Sequence, residues 1–214
     1  GKLGIAQFPS RNDRKNVGAW EAVTMNLAKQ CGITVAPFDV KKLSNKYLTF
    51  LTKRFDRDEQ GRRIHFTSAM TMLGYTDGNT EGCSYLELFE WIANNCCEVE
   101  KNLAEMWLRI VFNIAVSNCD DHLRNHGFLL TPKGWTLSPA YDLNPQEYGT
   151  GLNLNINEHE NALDFSLAIE VAQYAGIPKD EADKIVQHTK ETVSQWRRIA
   201  TSFKIPTEEQ EMMS

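Results

Sequence analysis

The sequence has no long hydrophobic run: no apolar stretch approaches the roughly 18 residues that a membrane span needs. It has no excess of positive charge either, since 23 Lys and Arg stand against 28 Asp and Glu, for a net charge of −5. Without a global basic field, direct DNA binding would need a local patch. The N-terminus shows no signal-peptide pattern. Together these absences predict a cytoplasmic protein that does not enter a membrane.

Cysteine is also scarce, and its pattern is uninformative for metal binding. The count is odd, and the spacing fits neither a zinc site nor a disulfide framework; the five residues are Cys31, Cys83, Cys96, Cys97 and Cys119. Reduced thiols are therefore expected. The chain has 214 residues, of which 42% are hydrophobic and 24% charged. That composition is typical of a globular protein with one large or two small domains.

Hydrophobic periodicity predicts an α+β fold with two lobes, divided near residues 57–60. Residues 1–57 should contain a strand at 3–8, a helix over Val17–Gln30, and strands at 33–40 and 47–55. Residues 58–214 should be mainly helical. The elements predicted there are a strand at 64–66, helices at 69–73, 84–95, 99–117, 165–175, 179–202 and 208–213, a hairpin of 127–130 with 135–137, and an extended segment at 153–157. Asn161 and Thr207 are predicted helix caps.

The densest group of polar side chains directly follows the strongly apolar helix at 99–117. Asp120 and Asn125 lie in a predicted loop, and Asp142 comes after the hairpin. Mg²⁺ prefers oxygen ligands and keeps its waters and substrate phosphates. An Asp that does not bind the metal can accept the proton of an attacking hydroxyl. These are the components of protein-kinase-type phosphoryl transfer, with Asp120 as base and with Asn125 and Asp142 on the metal.

Two other interpretations fit the same loop. It could be a polar connection that caps two helices and a turn; in the kinase interpretation, by contrast, Asp121 and Arg124 are scaffolding of the loop. It could also be a metal-dependent hydrolase site built on Asp120, Asp121, His122 and His126. A hydrolase with two metals would need a second carboxylate–histidine cluster, which the sequence does not offer.

The loop sequence Asn-Cys-Asp-Asp-His-Leu-Arg-Asn-His-Gly-Phe and the later Leu-Ser-Pro-Ala-Tyr-Asp-Leu-Asn-Pro closely resemble the HipA family. These are serine/threonine kinases of bacterial toxin–antitoxin modules, and the resemblance runs from about residue 5 to the C-terminus. It implies a protein-kinase-like two-lobed fold, with a small antiparallel-sheet N-lobe and a larger helical C-lobe. It also implies ATP and Mg²⁺ as cofactors and a protein substrate, such as an aminoacyl-tRNA synthetase. The implied partner is a helix-turn-helix antitoxin, through which DNA would be contacted only indirectly.

The resemblance also implies which residues contact the nucleotide: Gln7, Lys53, Phe55, Asp56, His122 and Tyr141. Three of these have alternatives. Phe55 would flank the adenine ring or simply pack between the lobes. His122 would touch a phosphate or brace the loop by hydrogen bonds. Tyr141 would lie beside the nucleotide or belong to the core.

The first strand departs from the family pattern. Where the family has Ile-Ala-Lys-Phe-Pro, this chain has Gln7 in place of the Lys. A neutral amide can hydrogen-bond a phosphate but supplies no charge. Losing a charged contact to a phosphate costs about 1–3 kcal/mol of binding free energy. Glu21 is the expected partner of that Lys, with an exposed helical Glu as the alternative. The chain is interpreted as an active kinase or, alternatively, as a catalytically impaired binding or regulatory module.

The Gly-rich loop that covers ATP phosphates in kinases has no counterpart here, because only Gly1 and Lys2 precede the first strand. The sequence therefore predicts either a fragment of a longer kinase or a truncated relative, and it does not distinguish the two.

Overall fold

The computed structural model describes residues 3–10, 13, 15–43 and 47–213, so Gly1 and Lys2 lie outside it. Within these ranges, no helix combines the length and the apolar character required to cross a bilayer. The elements in chain order are β1 Gly4–Gln7, α1 Val17–Gln30, β2 Phe38–Lys41, β3 Thr49–Lys53, β4 His65–Ser68, α2 Ala69–Met72, α3 Tyr85–Asn95, α4 Val99–Val116, β5 Gly127–Thr131, β6 Gly134–Leu137, α5 Phe165–Val171, a 3-10 helix Ala172–Ala175, α6 Lys179–Val193, α7 Trp196–Ser202 and α8 Thr207–Met212.

The first sheet has the strand order β1-β3-β2, and both pairings are antiparallel. Helix α1 packs against this sheet so closely at Gly18 that a Cβ atom there would lie 2.6 Å from the Leu48 carbonyl oxygen. Only glycine allows that approach. The prediction of a small antiparallel sheet crossed by one helix is confirmed.

The second sheet has the order β4-β5-β6, also antiparallel. The predicted hairpin is therefore confirmed, and the short strand before it joins the same sheet. Helix α4 is the centre of the second core, because Met106, Trp107 and Ile110 are fully buried on it. Its burial on nearly every side agrees with its apolar sequence.

Several predicted boundaries were wrong, each for a local reason. Pro37 removes a backbone donor, and β2 begins only after it. The helix predicted at 179–202 is interrupted between α6 and α7, where the Ser194 hydroxyl donates to the Glu191 carbonyl, 2.7 Å away. Such a side-chain bond competes with the helical backbone pattern. The helix predicted at 165–175 ends at Val171 and continues as the 3-10 turn.

The predicted extended segment and the two predicted caps also need correction. Residues 153–157 form no strand but one isolated bridge, between Ser84 and Asn155. Asn161 does not cap the next helix, because its amide donates to the Leu152 carbonyl at 2.6 Å, and Asp164 is the cap instead. Thr207 is the first residue inside α8 rather than its cap.

Two hydrophobic cores are present, one under the first sheet and one around α4. The first core holds Trp20 and Phe50 together with Phe112 of α4 and Ile199 of α7. The N-terminal sheet therefore shares its core with helices from the far end of the chain. The division predicted near residues 57–60 stays a prediction.

Candidate functional site

A cavity of about 360 Å³ lies between the first sheet, α1 and the segment that follows β6. Its size is within the range of small-molecule sites. Six of the predicted nucleotide and metal contacts line it, namely Gln7, Lys53, Phe55, Asp56, Tyr141 and Asp142, and so do Glu21 and Arg124. We call this cavity the cleft. The fold thus brings together predicted residues that lie far apart along the chain.

Aromatic rings form one wall of the cleft. The Phe55 ring centroid lies 5.6 Å from that of Tyr141 and 5.4 Å from that of Phe66. The Tyr141 hydroxyl donates to the Arg124 carbonyl at 2.6 Å, and burial raises the pKa of this hydroxyl above its usual range. The wall is therefore aromatic and uncharged, and the face of one of its rings offers a planar base a surface for stacking. Sequence reasoning missed Phe66, whose only signal was a short strand.

The end of β3 continues into a cluster of charged side chains. Arg54 donates two hydrogen bonds to the Asp56 carboxylate, at 2.7 and 2.5 Å, and Arg57 donates a third at 2.8 Å. The hydrogen bond from Arg54 lowers the pKa of Asp56. Its carboxylate is thus fixed and ionised beside Lys53 and Phe55. Whether Lys53, Phe55 and Asp56 contact a nucleotide stays a prediction.

Gln7 and Glu21 meet in the lining of the cleft, where strand β1 and helix α1 face each other. With the Gln7 amide nitrogen turned toward α1, it donates to both carboxyl oxygens of Glu21, of which Oε1 is 3.1 Å away. Glu21 is only 2% exposed, so the exposed-helix alternative is wrong. Burial, and secondly the charge of Asp142, raise the pKa of Glu21 to about 8. The Gln7–Glu21 pair is therefore uncharged at neutral pH, where a Lys–Glu pair would carry two opposite charges.

The loop of residues 118–126 lines the cleft with Arg124, and its Asn125 contacts the lining residue Asp142. The Asn125 amide nitrogen donates to Asp142 Oδ2 at 2.8 Å, and its oxygen accepts the His122 backbone N–H at 3.0 Å. A second amide, that of Asn144, donates to Asp142 Oδ1 at 2.9 Å. Asp142 has a φ of 57°, which is uncommon for a residue other than glycine. Strained residues of this kind cluster at functional sites.

Asp120 and His122 occupy the same loop outside the cleft lining. Asp120 is exposed, and among the described residues it has no hydrogen-bond partner. The His122 ring is half-buried, and its Nδ1 has no hydrogen-bond partner among the described residues. The role of Asp120 as the base and that of His122 as a phosphate contact stay predictions.

Asp121 and His126 point into the protein rather than toward the cleft. Asp121 is 1% exposed and His126 is 2% exposed, and His126 Nε2 lies 2.7 Å from Asp121 Oδ2. The hydrolase interpretation required these side chains at an open site. In the ranges that the structure describes, no group of three His, Cys, Asp or Glu side chains could hold a metal ion. The hydrolase interpretation has no structural support.

The residues around Asp142 are compatible with Mg²⁺. Asn144 Oδ1 is buried and has no partner among the described residues, so an oxygen lies near the carboxylate of Asp142 without a donor of its own. One carboxylate and one free amide oxygen could contribute ligands to a hard cation, with water and phosphate completing the shell. Asn125 directs its nitrogen at Asp142, so it could bind an ion directly only with its amide turned. Its metal role stays a prediction.

Comparison with known proteins gives related sequences that are named as kinases. A serine/threonine-protein kinase toxin HipA from Shewanella oneidensis is 29% identical over 143 residues, covering 58% of this chain and 33% of that protein. A putative kinase from Sinorhizobium fredii is 28% identical over 150 residues, covering 66% of this chain and 34% of that protein. The chain therefore spans about a third of the length of these curated relatives.

Solved structures give the fold. HipA in the Shewanella oneidensis complex of HipA, HipB and operator DNA superposes with a TM-score of 0.78 at 22% identity, covering 98% of this chain and 55% of that one. The Helicobacter pylori proinflammatory kinase CtkA gives a TM-score of 0.60 at 13% identity, covering 95% and 92%. The predicted kinase-like two-lobed α+β fold is confirmed. The HipA-like C-terminal domain model matches residues 2–196, and the chain therefore belongs to the family of proteins with a HipA-like C-terminal domain.

Proposed function

We propose that this chain carries the site of an ATP- and Mg²⁺-dependent protein serine/threonine kinase of the HipA type. The observation that supports it best is the cleft, where an aromatic wall, a charged cluster and Asp142 border one cavity of about 360 Å³. An adenine base would stack on Phe55 and Tyr141, and the phosphates would extend toward Asp142. Related proteins named as kinases support the same conclusion.

In this proposal Asp120 is the base. The substrate hydroxyl oxygen forms a bond to the γ-phosphorus while the bond from that phosphorus to the β–γ bridging oxygen breaks, and Asp120 accepts the hydroxyl proton. Exposure suits this role, because a protein substrate must reach the carboxylate. Asp142 would hold Mg²⁺, with Asn144 and Asn125 beside it. A bound Mg²⁺ would neutralise negative charge on the phosphates.

Calorimetry of Mg²⁺-ATP binding tests the proposal. We expect measurable binding to the wild-type chain and at least about tenfold weaker binding to Asp142→Ala, because the carboxylate that would hold the metal at the predicted phosphate position is lost. Asp183→Ala, which removes an exposed carboxylate of α6 paired with Lys179, is the matched control and should bind like wild type. Equal affinity of all three proteins would remove Asp142 from the metal role.

A second candidate is a kinase-like binding or regulatory module with little turnover. The neutral contact between Gln7 and Glu21 favours it, because the end of the cleft nearest the predicted phosphates receives no positive charge from this pair. Transfer of labelled phosphate from ATP to casein or to the chain itself distinguishes the candidates. Incorporation that Asp120→Asn abolishes supports the kinase, whereas ATP binding without any incorporation supports the module.

The partner in this proposal is a small helix-turn-helix antitoxin, with DNA contacted only through it. The support is that HipA of Shewanella oneidensis assembles with HipB and operator DNA. Co-purification of this chain with a candidate antitoxin, followed by DNA binding of the complex but not of the chain alone, would test it.

A further inference from the structure

A buried carboxylate anchors the loop 118–126 from inside the protein. The Tyr85 hydroxyl donates to Asp121 Oδ2, and His126 Nε2 lies 2.7 Å from the same oxygen. Asp121 is 1% exposed, and a carboxylate so deeply buried needs such partners to remain in place. Asp120 is its direct neighbour in sequence. The position of Asp120 therefore depends on what holds Asp121.

Tyr85 itself is fixed by its surroundings on α3. It is fully buried as the first residue of that helix, and Asn113 of α4 donates to its hydroxyl oxygen at 3.4 Å. Burial and the charge of Asp121 raise the pKa of Tyr85 well above its usual value. The hydroxyl therefore keeps its proton and remains a donor to Asp121.

The backbone of Tyr85 makes a second connection, to the segment 152–156. The Tyr85 N–H donates to the Asn155 carbonyl at 2.9 Å, and the Asn155 N–H donates to the Cys83 carbonyl at 2.9 Å. Leu154 and Ile156, on either side of Asn155, are buried in the core around α4. The start of α3 is thus the surface on which this segment is held.

We propose that Tyr85 is a positioning residue that couples the segment 152–156 to the loop of Asp120, because its backbone holds the first and its hydroxyl holds the second. A partner that displaces the segment would also displace Tyr85 and, through Asp121, the neighbouring Asp120. The consequence for phosphoryl transfer rests on the proposed function. The coupling between the two segments does not.

The test uses the complete 214-residue chain with Tyr85→Phe, which removes the hydroxyl and keeps the ring. Tyr75→Phe is the matched control for the loop, because the Tyr75 hydroxyl also donates to a carboxylate of α3, Glu87, at 2.7 Å but does not contact residues 118–126. Amide hydrogen exchange is measured by mass spectrometry. For Tyr85→Phe we expect exchange about tenfold faster in both 118–126 and 152–156, as the loss of one buried hydrogen bond to a charged group allows. Tyr75→Phe should leave exchange in 118–126 unchanged.

Phosphotransfer gives the second measurement. For Tyr85→Phe we expect kcat about tenfold lower and the KM for ATP within about twofold of wild type, because Asp120 is misplaced while the cleft is untouched. Three results for Tyr85→Phe would each overturn the proposal. They are faster exchange confined to α3, exchange that matches Tyr75→Phe, and a change in KM with kcat preserved. A wild-type chain without any phosphotransfer would contradict the proposed kinase but leave the exchange result to decide the coupling.

Discussion

Two parts of the cleft are built differently. We call the part bordered by the loop 118–126 and Asp142 the loop end, and the part bordered by strand β1 the β1 end. At one end, the loop 118–126 is held by Asp121 inside the protein and by the bond from Asn125 to Asp142 at the surface of the cleft. At the other end, Gln7 lies on the exposed strand β1, and its amide contacts Glu21. The first end carries the residues predicted to act as base and metal ligands. The second has a neutral amide where the family resemblance predicts a Lys.

This difference separates two abilities that kinases usually combine. In the proposed kinase, Asp120 would act on the substrate hydroxyl and Asp142 would hold the metal at the loop end, whereas Gln7 would contact the phosphates from the β1 end. The proposed kinase transfers phosphate, whereas the proposed binding module binds the nucleotide with little turnover. Variants at each end, measured for both binding and turnover, therefore test the comparison directly.

The largest effect is expected at the loop end, from Asp120→Asn. An amide cannot accept the hydroxyl proton, so we expect phosphate transfer to fall about a thousandfold, with ATP affinity unchanged. Stability should also be unchanged, because Asp120 is exposed. Steady-state phosphorylation and thermal unfolding check both statements, with Asp183→Asn as the surface control. Undiminished transfer by Asp120→Asn would show that the loop end is not catalytic.

The contact between Asn125 and Asp142 agrees with what the sequence predicted, whereas the role of Asp120 stays a prediction. Asp120 and Asn125 are close in sequence, and a local hairpin returns the chain to Asp142. The bond from Tyr85 to Asp121 was not predictable, because 36 positions separate the two residues and no local pattern records the contact. The aromatic partner Phe66 was missed for a similar reason. Its place in the wall depends on the pairing of β4 with β5, which only the folded chain establishes.

At the β1 end, the family resemblance identified Gln7 and Glu21, but the burial of Glu21 followed from packing. Helix α1 lies against the sheet at Gly18, less than one turn before Glu21. This close contact excludes water from the Glu21 carboxyl group. A helical pattern in the sequence could not distinguish a buried Glu from an exposed one at this position.

An intermediate effect is expected at the β1 end from the ionisation of Glu21. Its pKa is raised from 4.5 to about 8, so the folded state binds a proton that the unfolded state releases between these values. The free energy of unfolding should therefore fall as pH rises through this window, by about 1.4 kcal/mol per unit of pKa difference at most. Glu21→Gln cannot ionise and should lose this dependence.

Urea unfolding at several pH values, without Mg²⁺, measures the Glu21 effect. The exposed Glu181→Gln is the control and should behave like wild type. Parallel pH profiles for wild type and Glu21→Gln would contradict the buried, uncharged state of Glu21.

The smallest effect is expected from restoring charge with Gln7→Lys. The new ammonium group would pair with Glu21, lower the pKa of that carboxyl, and face the predicted phosphates. We expect the affinity for Mg²⁺-ATP to rise about tenfold, which corresponds to about 1.4 kcal/mol, while adenosine binds as before. Gln30→Lys adds the same charge at the exposed end of α1, away from the cleft, and should change neither. If Gln7→Lys raises both affinities equally, the gain does not come from phosphate, and the β1 end is not where the phosphates lie. If Gln7→Lys raises ATP affinity but not turnover, then turnover is limited at the loop end rather than at the β1 end.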